Sequence, residues 1–329
     1  MQGPPAPRKV AVDLEDAMGT SETGRDETAF EGLLARAGQP AIPAAIVHPV
    51  DALSLSGAIE ARNHGLIEPV LVGPPARIEA AAAAAGLDLS GIEIVTVPHS
   101  HAAAAEGVRL AASGAVSALM KGALATSELM AACVAPAGGL RTERRMSHIF
   151  VMETPAWPSW LLISDGGLNI APDLMTKRWI VQNAIDLACA IGIELPKVAL
   201  LSATEVVDPH IPSTLDAAAL CKMAERGQIR GGILDGPLAF DLAISKESAA
   251  AKGLVSPVAG AADILIVPGI EAGNMLAKQL DYLAGANAAG IVLGAKVPVI
   301  LTSRSDSARE RVASCALAAA WLDWAGRAI

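Results

Sequence analysis

The chain has 329 residues, 34 acidic against 25 basic side chains, a net charge of −9 and 52% hydrophobic residues. That length calls for two domains or one large α/β unit, and the apolar content excludes disorder for most of the chain. The acidic balance argues against a nucleic-acid partner, which needs a basic surface, but it permits a small anion held by a few Arg and Lys side chains.

Residues 1–28 carry Gly-Pro-Pro-Ala-Pro and Gly-Thr-Ser-Glu-Thr-Gly-Arg-Asp-Glu, a poor core former expected to be a flexible leader. Asp13, Glu15 and Asp16 fall where a signal peptide would have its apolar core. Beyond it, apolar runs recur at 44–50, 69–72, 92–97, 118–121, 160–164, 197–203, 231–235, 263–268, 290–294 and 298–303, with Ala-rich stretches of helical period between most of them. Leu174, Val181, Ile185 and Ala188 share one helical face after Asp173, and Val312, Cys315, Ala316, Ala319 and Leu322 share another. Pro212, Ser213 and Asp216 read as a helix start, with Ser213 able to cap. Such alternation predicts an α/β fold with a largely parallel sheet, or two such sheets. No run reaches the roughly 18 apolar residues of a membrane span: Asp263 interrupts 253–270, and Lys296 separates 282–295 from 297–302. Cys133, Cys189, Cys221 and Cys315 lie far apart in apolar surroundings and read as buried thiols of a reducing cytosol.

The glycine-rich dinucleotide, P-loop, zinc-protease and nucleophile-elbow motifs are absent. His99 and His101 are too weak a pair to imply a metal, so none is expected. Residues 298–310 are more informative. A strand ending at Ser303 and a helix starting near Ser305 would place Ser303, Arg304 and Ser305 where α/β sheets bind ligands. Arg304 suits phosphate, and Asp306 and Glu310 are nearby carboxylates. The plainer alternative makes Ser305 and Asp306 helix caps and Arg304 a solvated charge. Arg141, Arg144, Arg145 and His148 form a local basic cluster that would suit several phosphates, or an exposed loop between helix and strand. Lys121 ends a strand at the ligand-prone edge. Asn274 and Lys278 open a helix after the strand at 263–268, where capping and a surface lysine are the alternative. Asp165-Gly166-Gly167-Leu168-Asn169 is a turn or a ligand contact.

Met120-Lys121-Gly122, residues 197–202, Asp235-Gly236-Pro237-Leu238-Ala239-Phe240-Asp241, Ser256-Pro257-Val258-Ala259-Gly260, Glu271-Ala272-Gly273-Asn274 and Ser303-Arg304 occur in an order that resembles the phosphate acetyltransferase / phosphate butyryltransferase family, from about residue 45 to 325. The Lys121 stretch, Leu140-Arg141-Thr142 and Thr302-Ser303-Arg304 look closer to the butyryltransferase-like branch. The resemblance implies two α/β domains with mainly parallel sheets and a cleft between them, on an isocitrate/isopropylmalate dehydrogenase-like scaffold. Residues 29–152 plus 297–329 would form one domain, and 153–296 the other, on the dimer side. It implies acyl transfer between coenzyme A and inorganic phosphate in the cytoplasm, by a homodimer or higher homo-oligomer. No permanently bound cofactor, nucleic acid or membrane is implied. A carboxylate would deprotonate the CoA thiol, which attacks the acyl phosphate. Ser303 would donate to the oxyanion and Arg304 hold phosphate, with Ser305, Asn274 and Lys121 beside it. Arg141, Arg144, Arg145 and Lys278 would meet CoA. For the base, Asp306 matches the butyryltransferase-like wording and Glu310 the ungapped acetyltransferase position. A catalytically silent acyl-CoA-binding domain is the alternative.

Overall fold

The computed structural model describes residues 29–36, 40–136, 138–302 and 306–328, so the leader and Ser303, Arg304 and Ser305 lie outside the described residues. The first part alternates helix and strand: α1 (Ala29–Arg36), β1 (Ile42–Val47), α2 (Ala52–Asn63), β2 (Ile67–Gly73), α3 (Pro75–Ala85), β3 (Glu93–Thr96), α4 (Ser100–Ala112), β4 (Ala118–Lys121) and α5 (Thr126–Cys133). Two strands in succession follow, β5 (Ser147–Glu153) and β6 (Leu161–Ser164). Then come α6 (Leu174–Ala190), β7 (Lys197–Leu201), α7 (Pro212–Glu225), β8 (Ile233–Leu238), α8 (Phe240–Ile244), α9 (Lys246–Ala251), β9 (Ile264–Ile266) and α10 (Ile270–Leu283). The chain closes with β10 (Asn287–Leu293), β11 (Val299–Ile300) and α11 (Ala308–Ala328).

Local chemistry sets several of these boundaries. Asp51 and Asp173 cap α2 and α6 by accepting from the backbone N–H groups of Ser54 and Thr176, at 2.7 and 2.8 Å. Pro75 opens α3, where its missing N–H costs nothing, and Gly86 ends it in the left-handed region. The expected Ser213 cap is not made. Ile211 occupies the cap position with Pro212 after it, and Ser213 Oγ instead lies 2.8 Å from Ser202 Oγ. The helix expected near Ser305 begins at Ala308.

All strands join one eleven-stranded sheet in the order β3-β2-β1-β4-β11-β10-β5-β6-β9-β7-β8. Antiparallel pairing is confined to the middle, where β10 opposes β11 and β5, and β5 opposes β6. The other neighbours run parallel. The two parallel flanks therefore point in opposite senses. The strand β5 is absent from the runs expected from sequence. Its alternating pattern sends Ile149 and Val151 to one face and His148 and Phe150 to the other, and the charges just before it suggested a loop.

One face of the sheet is covered end to end by a single apolar cluster that includes Ile46, Ile149, Val181, Leu200, Ile291 and Val312. The opposite face carries two separate clusters. One is built with α4 and α5 around Val108, Leu119 and Leu129. The other is built with α8 and α10 around Ile163, Leu242 and Leu265. Between them, the surface of the antiparallel middle is left open as a cleft.

Asn183 of α6, 1% exposed, ties the middle strands together. Its Nδ2 donates to Ser147 Oγ at 2.9 Å and to the Arg145 carbonyl at 3.0 Å. Asn183→Ala leaves the buried Ser147 hydroxyl without this donor, so it is expected to lower unfolding free energy by about 1–3 kcal/mol. Urea denaturation measures this, and an unchanged midpoint would show that the contact contributes nothing.

Candidate active site

The cleft encloses about 420 Å³. Lys121 enters from the end of β4, Thr302 follows β11, His148 and Phe150 rise from β5, and Asn274 and Lys278 project from α10. Asp306 stands at its rim before α11. Four expected site residues (Lys121, Asn274, Lys278 and Asp306) thus converge on one cavity. Lys121 is 6% exposed, and its Nζ donates to the carbonyls of Gly122 and Leu124, both at 3.3 Å. Thr302 Oγ1 donates to the Lys121 carbonyl at 3.2 Å and accepts from Arg311 Nη1 at 2.8 Å. That buried chain of bonds fixes the strand end from which Ser303 continues. Gly122 packs so tightly that a Cβ there would come within 2.5 Å of the Val47 carbonyl oxygen, which gives the Lys121-Gly122 pair a backbone reason.

Asp306 and Glu310 have different surroundings. Ser307 and Glu310 form a reciprocal cap of α11: the Ser307 amide donates to Glu310 Oε2 at 2.7 Å, and the Glu310 amide donates to Ser307 Oγ at 3.3 Å. Glu310 Oε1 accepts from the Ala288 amide of β10 at 3.1 Å. The cap expected of Ser305 or Asp306 thus belongs to Ser307. Glu310 points at β10 and away from the cleft, while Asp306 lines the cleft beside the positive charge of Arg311. Arg309 lies outside it, 3.7 Å from Glu153 and over the Phe30 ring.

Arg141, Arg144 and Arg145 line a separate hollow of about 610 Å³ with Met146, Leu168 and Asn169. Arg144 is the most constrained, its Nη1 2.5 Å from Asp186 Oδ2 and its guanidinium near the Trp179 ring. Two sequence expectations shift here. Lys278 was grouped with these arginines but lines the cleft, 3.1 Å from Asp281. His148 was counted among the basic cluster but belongs to the cleft floor.

His148 is 4% exposed, and its ring stands edge-on to Phe150 at a centroid distance of 4.4 Å. Burial pulls its pKa down to about 4, partly opposed by the negative charge of Asp165. It is a neutral imidazole at working pH. Asp165, 2% exposed, is consumed by its own turn: its Oδ1 accepts from the Gly167 and Leu168 amides, and its Oδ2 from the backbone and side chain of Asn169. The glycine pair after Asp165 therefore serves both as turn and as cleft wall. No sequence motif flags His148; only the alternation of Ser147–Glu153 does, once the strand is recognised.

The four cysteines are free thiols, and none lines the cleft. Burial pushes Cys133, Cys221 and Cys315 up to about 12, and it also raises Cys189. A covalent acyl-cysteine has no activated nucleophile to form on.

A buried lysine, a rim carboxylate and a neutral imidazole around a cavity of small-molecule size define an α/β enzyme that handles an anionic small molecule. The profile described as phosphate acetyl/butaryl transferase matches residues 99–319. A phosphate acetyltransferase of Rhizobium meliloti is 60% identical over 285 residues, covering 87% of this chain and 90% of the relative. A phosphate butyryltransferase of Clostridium acetobutylicum is 43% identical over 265 residues, covering 80% of this chain and 88% of the relative. A solved branched-chain phosphotransacylase from Enterococcus faecalis superposes with a TM-score of 0.73 at 31% identity, covering 85% of this chain and 99% of that one. The chain belongs to the phosphate acetyl/butyryl transferase family. Although its motifs read as closer to the butyryltransferase branch, its identity to the Rhizobium acetyltransferase exceeds that to the Clostridium butyryltransferase.

His148 makes stability depend on pH. Its pKa is about 6.5 unfolded and about 4 folded, so between those values the unfolded chain binds a proton that the folded chain does not. Stability therefore falls as pH drops through this window, by roughly 3 kcal/mol at most. His148→Phe is expected to flatten the dependence of the urea midpoint between pH 6.5 and pH 4. A dependence as steep as that of the unmodified chain would show that another group titrates.

Proposed function

We propose that the protein transfers a short acyl group between coenzyme A and inorganic phosphate: acyl-CoA + phosphate = acyl phosphate + CoA. Family membership gives the reaction class. The observation that carries the assignment to this cleft is the convergence of Lys121, Asn274, Lys278 and Asp306 on one cavity. In the acyl-CoA-forming direction, Asp306 accepts the thiol proton and the thiolate sulfur attacks the acyl phosphate carbonyl carbon. The carbonyl π pair moves onto oxygen, and on its return the bond to phosphate breaks. A free thiol is only a few per cent ionised at neutral pH, so a placed acceptor raises the reactive fraction. Lys121 and Arg304 hold phosphate charge, assisted by Ser305 and Asn274, and Ser303 donates to the oxyanion. Arg141, Arg144 and Arg145 hold the phosphates of CoA in the neighbouring hollow, and Lys278 meets CoA from the cleft.

Residues 29–152 with 297–329, and 153–296, are read as two domains flanking the cleft. Of 13 exposed large apolar side chains among the described residues, 11 fall within 153–296, including Val255, Leu283 and Tyr282. This supports a homodimer formed through that part. No helix among the described residues is long and apolar enough to cross a membrane, and a cytoplasmic location suits substrates such as CoA.

Thiol release from acyl-CoA on addition of phosphate tests the reaction; a catalytically silent acyl-CoA-binding domain would release none. Asp306→Asn is expected to lower kcat by about 10²–10⁴-fold with substrate constants little changed. Glu310→Gln should leave kcat within a few fold and lower thermal stability, because its carboxylate is tied to Ser307 and Ala288. The reverse pattern would make Glu310 the base.

Replacing Arg144 and Arg145 together by Ala should raise the KM for CoA, with a weaker salt dependence than the unmodified enzyme shows, and leave that for acyl phosphate nearly unchanged. If the acyl phosphate constant moves instead, the two anion sites are assigned the wrong way round.

A further inference from the structure

The floor of the cleft holds a polar group that the reaction so far leaves idle. No hydrogen bond among the described residues engages either ring nitrogen of His148, and Nδ1 is fully enclosed without a partner. A buried polar atom left unpaired costs stability, so the enclosure of this ring at the cleft floor calls for a functional explanation.

The ring is held on both edges by glycines. A Cβ on Gly167 would lie 3.1 Å from Nδ1, and one on Gly290 would lie 2.9 Å from Nε2. Both glycines line the cleft, as does Phe150, which braces the ring edge-on. Asp165 takes nothing from the imidazole, since its oxygens are occupied by the turn that follows it. Among the described residues, the charged groups facing the same space are Lys121, Lys278 and Asp306. They supply charge for phosphate and a proton acceptor. A neutral imidazole adds neither; it adds an uncharged N–H donor at a fixed place. Thr302 and Asn274 also line the cleft, but their donors are directed at the backbone carbonyls of Lys121 and Gly166.

We propose that His148 is a catalytic hydrogen-bond donor whose Nε2–H meets the carbonyl oxygen of the transferred acyl group. The inference rests on the acyl-transfer reading above. As the thiolate sulfur bonds to the carbonyl carbon and the π pair moves onto oxygen, that oxygen gains charge and the Nε2–H bond to it strengthens. No proton leaves the imidazole. When the pair returns and phosphate departs, the donor is left on the thioester carbonyl. A donor fixed before the reaction and screened from water favours the transition state over the ground state. Its neutrality matters, because an imidazolium here would compete for the phosphate and for Asp306.

The test uses the full-length enzyme and the variants His148→Phe, His148→Gln and His148→Asn. Phe keeps the ring shape and its packing against Phe150. Gln carries an amide nitrogen near the position of Nε2, and Asn one near Nδ1. His148→Phe is expected to lower kcat for acetyl-CoA formation from acetyl phosphate by about 10²–10³-fold, with the KM values for CoA and acetyl phosphate within threefold. His148→Gln should recover at least tenfold of that loss and His148→Asn should not. The infrared carbonyl stretch of bound acetyl-CoA should lie at lower wavenumber in the unmodified enzyme than in His148→Phe, a shift that a purely structural residue would not produce. The proposal fails if His148→Phe keeps kcat within threefold, if Asn restores activity as well as Gln, or if the carbonyl stretch does not move. An unmodified enzyme that releases no thiol would sink the acyl-transfer reading itself, and this one with it.

Discussion

The middle of the sheet depends on a strand that is too short for its neighbour. β10 spans seven residues and β11 only two. The amides of Ala288 and Gly290 face the side where β11 has run out, and an unpaired buried amide is costly. α11 supplies the missing partners, Glu310 Oε1 for Ala288 at 3.1 Å and Ser314 Oγ for Gly290 at 3.0 Å. Ser314 in turn donates to the Glu310 carbonyl at 2.8 Å. These contacts anchor the start of α11 against the middle of the sheet. Thr302 and Asp306, at the near ends of β11 and α11, both line the cavity. Glu310 is committed to this anchorage, and Asp306 is the carboxylate that lines the cleft.

The antiparallel middle has a second consequence. Reversal at β10 and β5 turns the parallel flanks in opposite senses, so helices from each flank cover their own end of one face and stop short of the centre. The opposite face is sealed by α2, α6 and α11. A single sheet thus carries a continuous core on one side and an open reaction surface on the other. Lys121 and His148 sit on that surface almost without solvent, where electrostatic interactions are stronger than in water. The same burial keeps the imidazole neutral, and burial elsewhere in the fold raises the cysteine thiols.

Much of this is legible in the sequence, for identifiable reasons. The buried parallel strands read as continuous apolar runs, and Ala118–Lys121 coincides with its run, followed by a glycine where a side chain would meet the Val47 carbonyl. Lys121, Asn274 and Asp306 stand at strand ends or helix starts, where polar residues against an apolar background carry a clear signal. β5 escaped because a run of arginines precedes it and its own apolar residues are shared between two faces. With β5 unseen, His148 looked like one more basic side chain. That Asp306 rather than Glu310 lines the cleft is likewise invisible to spacing, since it turns on β10, distant in sequence, needing a partner for its amide. Lys278 stands apart from the arginines because the turn of α10 that carries it faces the cleft rather than the arginine hollow.

The central claim is that acyl transfer takes place over the open middle of the sheet, with the arginine hollow serving the far end of CoA. A crystal structure with desulfo-CoA and phosphate tests it most directly. The pantetheine end should reach across Gly166 and Gly290 toward Asp306, phosphate should lie within reach of Lys121, and the nucleotide end should rest against Arg141, Arg144 and Arg145. A pantetheine end that leaves the cleft empty, or phosphate bound away from Lys121, would contradict it.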